Sequence, residues 1–580
     1  LAPCAFAADP GAPDAQEAAP AAPASPPPAN LKAVTGRPGA NDTQIEYGAL
    51  GAPDTSQVGI MGQSEGGLPA NMWQGTPYST AAALLAEGPP PTRSRALQDL
   101  TRSLLLSEAS LPGGGGDGPS LLALRLKRLL GLGEFDAVLQ LSNPIQPSAK
   151  YDAEERVRAE AFLLQGDEAG ACGLTQKMRL AVADPYWAKL GAFCDVRKGD
   201  IPAAELAVGL LKSRGYEDAT FYALYDWLVI PPSKDKPAPP PKKAKGKKGA
   251  KAAKAVKPEP PRTPPTGDGT PLSFAMLRAA NLPVGDLRNA GGRPAMLHAL
   301  ALEGAGAPPA TRLQAALEAT AYGALPPESL RAMIAQGGAQ DAEDGAMALI
   351  PLIRAVDQAS TPAERAQRAA EAYHAAVSSG YGPMTAALLA PTLQSLAPEP
   401  GLAIAAPDLT VLALAAGDVN AAYGWFGVIA AKAGEAETAG RDYLANLLRI
   451  AEPSQRLAWT TQEASRQITR TAEGRPGALA QRAFEIRLLE ALGTPVEPET
   501  LNSLPPATPV IGSALPAFQD AVAGGRVAEA VLRIFPILGA DGPGSTPQGA
   551  VVEVVRGLKQ LGLLKAARAV ALEAALAPRS

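Results

Sequence analysis

The sequence predicts an all-α chain built as a solenoid of helix–turn–helix repeats. Gly133, Gly166 and Gly199 stand 33 residues apart, within LLGLGEFDAVLQL, FLLQGDEAGACGL and DVRKGDIPAAELA. In each segment an apolar stripe at helical spacing runs into a Gly-plus-acid turn, and a second, Ala-rich stripe follows. A fixed period of this size marks a stacked helical array. Composition points the same way. Of the 580 residues 46% are hydrophobic but only 5% aromatic, and Ala, the best helix former, supplies much of the first figure. Strand-like runs of Val, Ile, Tyr and Thr are nearly absent. A chain this long exceeds one core and implies several domains or one long array.

The first residues, LAPCAFA followed by ADPG, read as the end of a secretory signal. Ala5-Phe6-Ala7 has the small-x-small form of a cleavage site, so residues 1–7 are expected to be a signal remnant cut after Ala7. The alternative is a lipid anchor on Cys4, against which Pro3 weighs. No later run reaches the roughly 20 apolar residues needed to cross a bilayer. Export to a bacterial periplasm is the expected location. Residues 8–70 are rich in Ala, Pro, Gly and Ser without sustained period. They cannot bury enough apolar surface to offset their ordering entropy, so a disordered arm is expected.

Residues 71–230 are expected to form an N-terminal helical lobe. Its entry holds Met72 and Trp73, with helices at about 79–87 and 92–107; Trp73 reads as a cap on the first groove or as a partner anchor. After the Gly113–Gly116 loop, the pattern predicts helices at about 119–131, 134–142, 152–165, 167–180, 185–198, 201–213 and 218–228. The turn glycines supply positive φ, and Asp167 and Asp200 sit where N-caps belong. Cys172 and Cys194 fall on neighbouring helices, and an oxidising compartment favours a disulfide between them. Two buried free thiols are the alternative.

Residues 231–270 are expected to be a linker of Pro, Lys and Ala. They carry eleven bases against three acids, leaving 42 bases and 54 acids in the rest of the chain. Lys242, Lys243, Lys245, Lys247, Lys248, Lys251 and Lys254 form its basic tether. The tether lacks the interleaved aromatics that nucleic-acid stacking uses. Anionic lipid head groups or the chain's own acidic body are the better counterparts, beside the plain reading of a solvated spacer. Residues 271–580 are expected to be a second helical lobe with helices at about 293–303, 309–322, 326–335, 342–357, 361–379 and 382–396. The turn motif returns at Gly417, Gly525 and Gly562, and AYGALPPESLRAM offers a further copy at Gly323.

These motifs resemble the tetratricopeptide-like helical-repeat superfamily, well over 119–228 and loosely over 271–577. The family's full pattern of Trp, Tyr and late Pro at set offsets is not met. The resemblance implies a right-handed superhelix and a groove that binds partner segments.

Chemistry motifs are sparse. The chain has two histidines, His298 and His374. No Cys-x-x-Cys, His-Glu-x-x-His, Gly-x-Ser-x-Gly or phosphate-loop pattern is present, so no metal, cofactor or catalytic residue is expected. Glu328 in Pro-Glu-Ser reads as a first-turn helix acid rather than a lyase acid. The expected role is a protein-interaction scaffold or adaptor of a cell-envelope assembly. Tyr186, Trp187 and Phe193, and separately Tyr423, Trp425 and Phe426, are the candidate groove anchors. A structural part of a large envelope machine is the second reading; a lipid or protein carrier and a peptidoglycan-acting enzyme rank below it.

Overall fold

The computed structural model describes residues 58–110, 112, 120–230, 263–284, 293–304, 306–337, 345–432, 438–452, 457–472, 477–507 and 514–577. The expected signal remnant with Cys4, the arm as far as residue 57, the Gly113–Gly116 loop and the tether lysines lie outside these residues. Among the described residues there are 26 α-helices and no strand. A lone bridge pairs Met61 with Ser107.

Packed structure begins at residue 58, earlier than composition suggested. Leu68, Met72 and Trp73 are buried, ahead of α1 (Tyr78–Glu87) and α2 (Arg95–Leu106). Arg125, on α3 (Leu121–Leu132), is fully buried without a carboxylate. Its guanidinium donates to the carbonyls of Val58 (3.0 Å), Leu105 (2.8 Å) and Ser107 (3.0 Å). It thus ties the entering chain to the C-terminal end of α2, where a helix dipole favours a cation.

Three hairpins follow. They are α3 with α4 (Phe135–Ser142), α5 (Asp152–Leu164) with α6 (Glu168–Ala181), and α7 (Pro185–Lys198) with α8 (Ile201–Ser213). Gly133 and Gly199 end α3 and α7 in the left-handed region, at φ 82° and 81°, and Gly166 holds the matching corner at φ 83°. Asp167 and Asp200 accept from the amides of Gly170 (2.8 Å) and Ala203 (3.2 Å), capping α6 and α8. Each hairpin packs on the next, α4 against α5 and α6 against α7. A disulfide joins Cys172 of α6 to Cys194 of α7, with a Cα–Cα distance of 5.7 Å.

The expected division into two lobes at the linker is not what the packing describes. Residues 263–270, assigned to the linker, are described, and Thr270 caps α10 (Pro271–Ala279) by accepting from the Ser273 amide at 3.2 Å. Helix α10 packs against α5 and against α9 (Ala219–Val229). One apolar core therefore holds Ala159, Leu163, Trp187 and Leu224 from one side of 231–262, and Leu272, Ala275 and Met276 from the other. The reason is apolar demand: the open face of the last repeat is buried by the returning chain. The described residues form one compact unit.

The chain continues with α11 (Pro294–Glu303), α12 (Pro309–Ala321), α13 (Pro327–Gln336), α14 (Leu349–Gln358), α15 (Pro362–Ser378) and α16 (Gly382–Gln394). Four of these six helices open on Pro at their first position, where no amide partner is lost. Helices α17 (Ala406–Ala416) and α18 (Val419–Lys432) form a further hairpin, with Gly417 at φ 83° and Asp418 accepting from the Ala421 amide at 2.9 Å. Then come α19 (Thr438–Ala451), α20 (Glu463–Ala472), α21 (Ala478–Ala491) and α22 (Pro498–Ser503). Two last hairpins pair α23 (Ala514–Ala523) with α24 (Val527–Leu538) and α25 (Gln548–Gln560) with α26 (Leu564–Leu576). Gly525 (φ 65°) and Gly562 (φ 79°) mark their corners, and Gly323 (φ 75°) marks that between α12 and α13.

The array closes on itself. Helices α1 and α2 pack against α24, and α2 packs against α26. The Ala528 amide donates to Met72 O (2.9 Å), Thr92 Oγ1 donates to Ala540 O (2.6 Å), and Glu573 accepts from the Ala96 amide (2.9 Å) at the start of α2. The largest core accordingly runs from Leu68 to Ala575.

Candidate functional site

The main cleft of the described structure encloses about 520 Å³. It lies where four distant stretches meet: the start of α2, the α3–α4 corner, the α12–α13 corner and the first turns of α16. Closure of the array is what brings them together.

At one end, Arg93 pairs with Glu318 of α12 at 2.8 Å. Its guanidinium lies over the rings of Tyr381 and Tyr322, 4.4 and 5.4 Å from their centres, a stacking arrangement that planar Arg suits better than Lys. The Tyr381 hydroxyl donates to the other Glu318 oxygen. Burial and that bond push the Tyr381 phenol well up from its usual range. Gln98 of α2 donates through Nε2 to Thr92 O (2.7 Å) and Ala321 O (2.9 Å), joining α2 to the end of α12.

At the other end, two repeat corners touch. A Cβ on Gly133 would stand 2.8 Å from Cβ of Ala324. His298 of α11 stacks on Phe135 with ring centres 4.7 Å apart, and its Nδ1 is 3.1 Å from Gly133 O. A carbonyl only accepts, so Nδ1 carries the proton and Nε2 is left as an acceptor. Burial lowers the His298 pKa, which favours this neutral form. Glu134 pairs with Arg102 at 2.6 Å; burial raises its carboxyl while Arg102 pulls it back. Asp136 accepts from Gln165 Nε2 at 2.7 Å. Ala387, Ala390, Ala416, Pro326, Pro327 and Pro383 give the walls a low-relief apolar lining. The result is an open surface of mixed polarity on which Arg93 and Arg102 are each paired with a carboxylate.

The sequence-expected anchors are not in this cleft. Trp187, Phe193 and Trp425 are fully buried, and Tyr186 and Phe426 nearly so. Tyr423 is half-buried and donates through its hydroxyl to Glu452 O at 2.9 Å. The aromatic stripes are the inner faces of their helices, so the aromatics serve the core. Of the residues weighed for chemistry, His298 lies in the cleft and Glu328 on its rim, in the first turn of α13. His374 sits on the surface, 3.0 Å from Asp408. Among the described residues no three of His, Cys, Asp and Glu come together as a metal-holding group, and no helix is long and apolar enough to cross a membrane. The residues that line the cleft were missed because Arg93, Tyr322 and Met384 lie far apart in sequence and share no motif.

Comparison of the chain with protein-family models, with curated proteins and with solved structures finds no match.

Proposed function

We propose that the protein is an interaction scaffold of the bacterial cell envelope that holds a segment of a partner protein in the cleft between α2, α12, α16 and the α3–α4 corner. The observation that carries this reading is the cleft's character: open, of mixed polarity and framed by rigid helix ends. A lipid carrier needs a deep apolar cavity. A groove that takes a peptide needs preformed walls and scattered polar contacts, and stacked helices present such a surface. Export, a periplasmic location and a lipid-facing or spacer role for the Lys242–Lys254 tether belong to this proposal, as does the alternative of a structural part in a larger envelope machine.

The test places a photo-crosslinking residue at Glu328 or Ala387 in the cleft, and at Leu206 on the outer face of α8 as control. Crosslinking is carried out in intact cells. The reading requires one defined partner captured from the cleft positions alone, with capture abolished by Ala390→Trp, which fills the cleft. Equal capture from Leu206, or capture that survives Ala390→Trp, would overturn it.

A further inference from the structure

Each hairpin of the first run lays its second helix against the first helix of the next, α4 on α5 and α6 on α7. Helix α8 breaks the series. It packs on α7, but the next helix, α9, turns onto α7 and α10 instead. The outward face of α8 is therefore left in solvent. Pro202, Leu206, Gly209, Leu210 and Ser213 follow helical spacing along it; all are exposed and none is charged. Leu206 is 67% and Leu210 50% exposed, while Ala204, Val208 and Leu211 on the opposite face are buried. A Cβ on Gly209 would meet nothing within 4 Å. Glycine inside a helix is unfavourable, and no described neighbour needs the room it leaves; what it permits is the close approach of another backbone.

The flank of this stripe selects the occupant. Glu205 and Lys212 are seven residues apart, about two helical turns, so they stand on the same side of it. Both are exposed, and among the described residues neither has an ion-pair partner; Lys212 Nζ lies over the Tyr222 ring, 4.8 Å from its centre. Consider a second α8 antiparallel to the first, with a two-fold axis beside Val208. Leu206 then meets the second copy's Leu210, and the reverse. Glu205 stands three residues before the axis and Lys212 four after it, about 4.5 and 6 Å along the helix. The same axis thus sets Glu205 beside the second copy's Lys212, twice. A parallel pairing would set like charge against like. A helix face complementary to itself under a two-fold is what an isologous contact needs. We infer that the outward face of α8 is a docking surface for a second copy of this chain, which packs its own α8 antiparallel across it. One helix pair buries less than the about 800 Å² per partner of a standard interface, so dimer and monomer exchange.

The experiment is sedimentation velocity of the full chain, disulfide intact, from about 1 µM to 1 mM. A monomer–dimer equilibrium is expected within that range. Leu206→Glu combined with Leu210→Glu should weaken it at least tenfold, with an unchanged circular dichroism spectrum because both side chains face solvent. Glu205→Lys alone and Lys212→Glu alone each place like charges at both symmetric contacts, and each should weaken association about threefold to tenfold. The two together should restore the wild-type value, because opposite charges meet again; a surface that is merely sticky gives no such restoration. A crosslinker at Leu206 then yields a dimer of this chain, told apart by mass from the partner held in the cleft. The proposal is overturned if the chain stays monomeric throughout, as it would if this face docks a helix of a different protein. It is overturned equally if the double leucine variant associates as wild type does, or if the double charge variant stays weakened.

Discussion

Replacing Gly133 and Gly199 with Ala, one at a time, separates backbone strain from packing in the repeat corners. The two glycines have nearly the same backbone, φ 82° and 81°. An L-residue in this left-handed region costs about 1–2 kcal/mol, partly offset by the entropy that Gly loses on folding. That contribution is common to both sites. The surroundings differ. A Cβ at Gly199 meets nothing within 4 Å, whereas one at Gly133 would stand 2.8 Å from Ala324 Cβ and 3.5 Å from Ala324 Cα. The neighbour at Gly133 is the first carbon of a side chain fixed to the α12–α13 corner, so relief requires moving backbone. Overpacking of this kind costs about 1–3 kcal/mol. Gly199→Ala should therefore destabilise by about 1 kcal/mol, and Gly133→Ala by about 2–4 kcal/mol once the clash is added. The assay is equilibrium urea unfolding of the full chain, followed by far-ultraviolet circular dichroism. Combining Gly133→Ala with Ala324→Gly should restore part of the loss, since residues in contact couple by about 0.5–3 kcal/mol. Equal costs at the two glycines, with no coupling to Ala324, would mean that the α3–α4 and α12–α13 corners do not touch, and the cleft between them would lose one wall.

Arg125→Met removes the donor to three carbonyls, those of Leu105 and Ser107 buried and that of Val58 half-buried; a loss of about 3 kcal/mol is expected, with faster proteolysis between residues 58 and 70 as the direct readout. Burial pushes the Glu485 carboxyl up from the usual carboxylate range to about 7, while Arg482 and Asn446 pull it down. A folded-state pKa above the unfolded one means that the native state holds the proton more tightly, so this group's contribution is full below about pH 4.5 and is lost as pH rises through about 7. Urea midpoints should fall over that window in wild type and fall less in Glu485→Gln; equal slopes would refute the assignment. Trp187 is fully buried and donates through Nε1 to Asp152 at 2.6 Å. Trp187→Ala should cost about 3–5 kcal/mol of stability and leave partner capture per folded molecule unchanged, whereas a groove anchor would show the reverse.

Much of the helical layout was legible locally. The spacing predicts helices over 185–198 and 201–213, and α7 and α8 have those bounds. Here every signal agrees: Asp184 accepts from the Tyr186 amide, Pro185 opens the helix, Gly199 ends it and Asp200 starts the next. Agreement weakens where caps are missing. The expected helix over 342–357 is α14 at Leu349–Gln358, preceded by a single tight turn at Gly345–Ala348, and no Ser, Thr, Asp or Asn stands at its N-cap. The aromatic stripes at 186–193 and 423–426 were periodic, but periodicity gives the buried face of a helix without saying what buries it. The cleft was illegible for a related reason. Its polar contacts join residues up to 225 positions apart, and no local pattern encodes such pairings.

Closure resolves the problem that every helical array faces at its ends. A terminal repeat exposes the apolar face that its missing neighbour would cover, so solenoids need caps. In this chain α1 and α2 cover α24 and α26, and α10 covers the open face of the α5–α9 run. The contacts that close the array span very long separations: Thr76 to Glu529 is 453 residues and Ala96 to Glu573 is 477. Distance in sequence is a weak obstacle thermodynamically, because each doubling of loop length adds only about 0.6 kcal/mol. Burial of Trp73, Leu85, Leu97 and Leu104, at about 1.5–3 kcal/mol for each aliphatic side chain, outweighs that several times over. The obstacle is kinetic, since non-local pairings form late. The cleft, which exists only once α2 has docked, is therefore a property of the completed fold, and a chain that has stacked its hairpins without closing would be helical but unable to bind there.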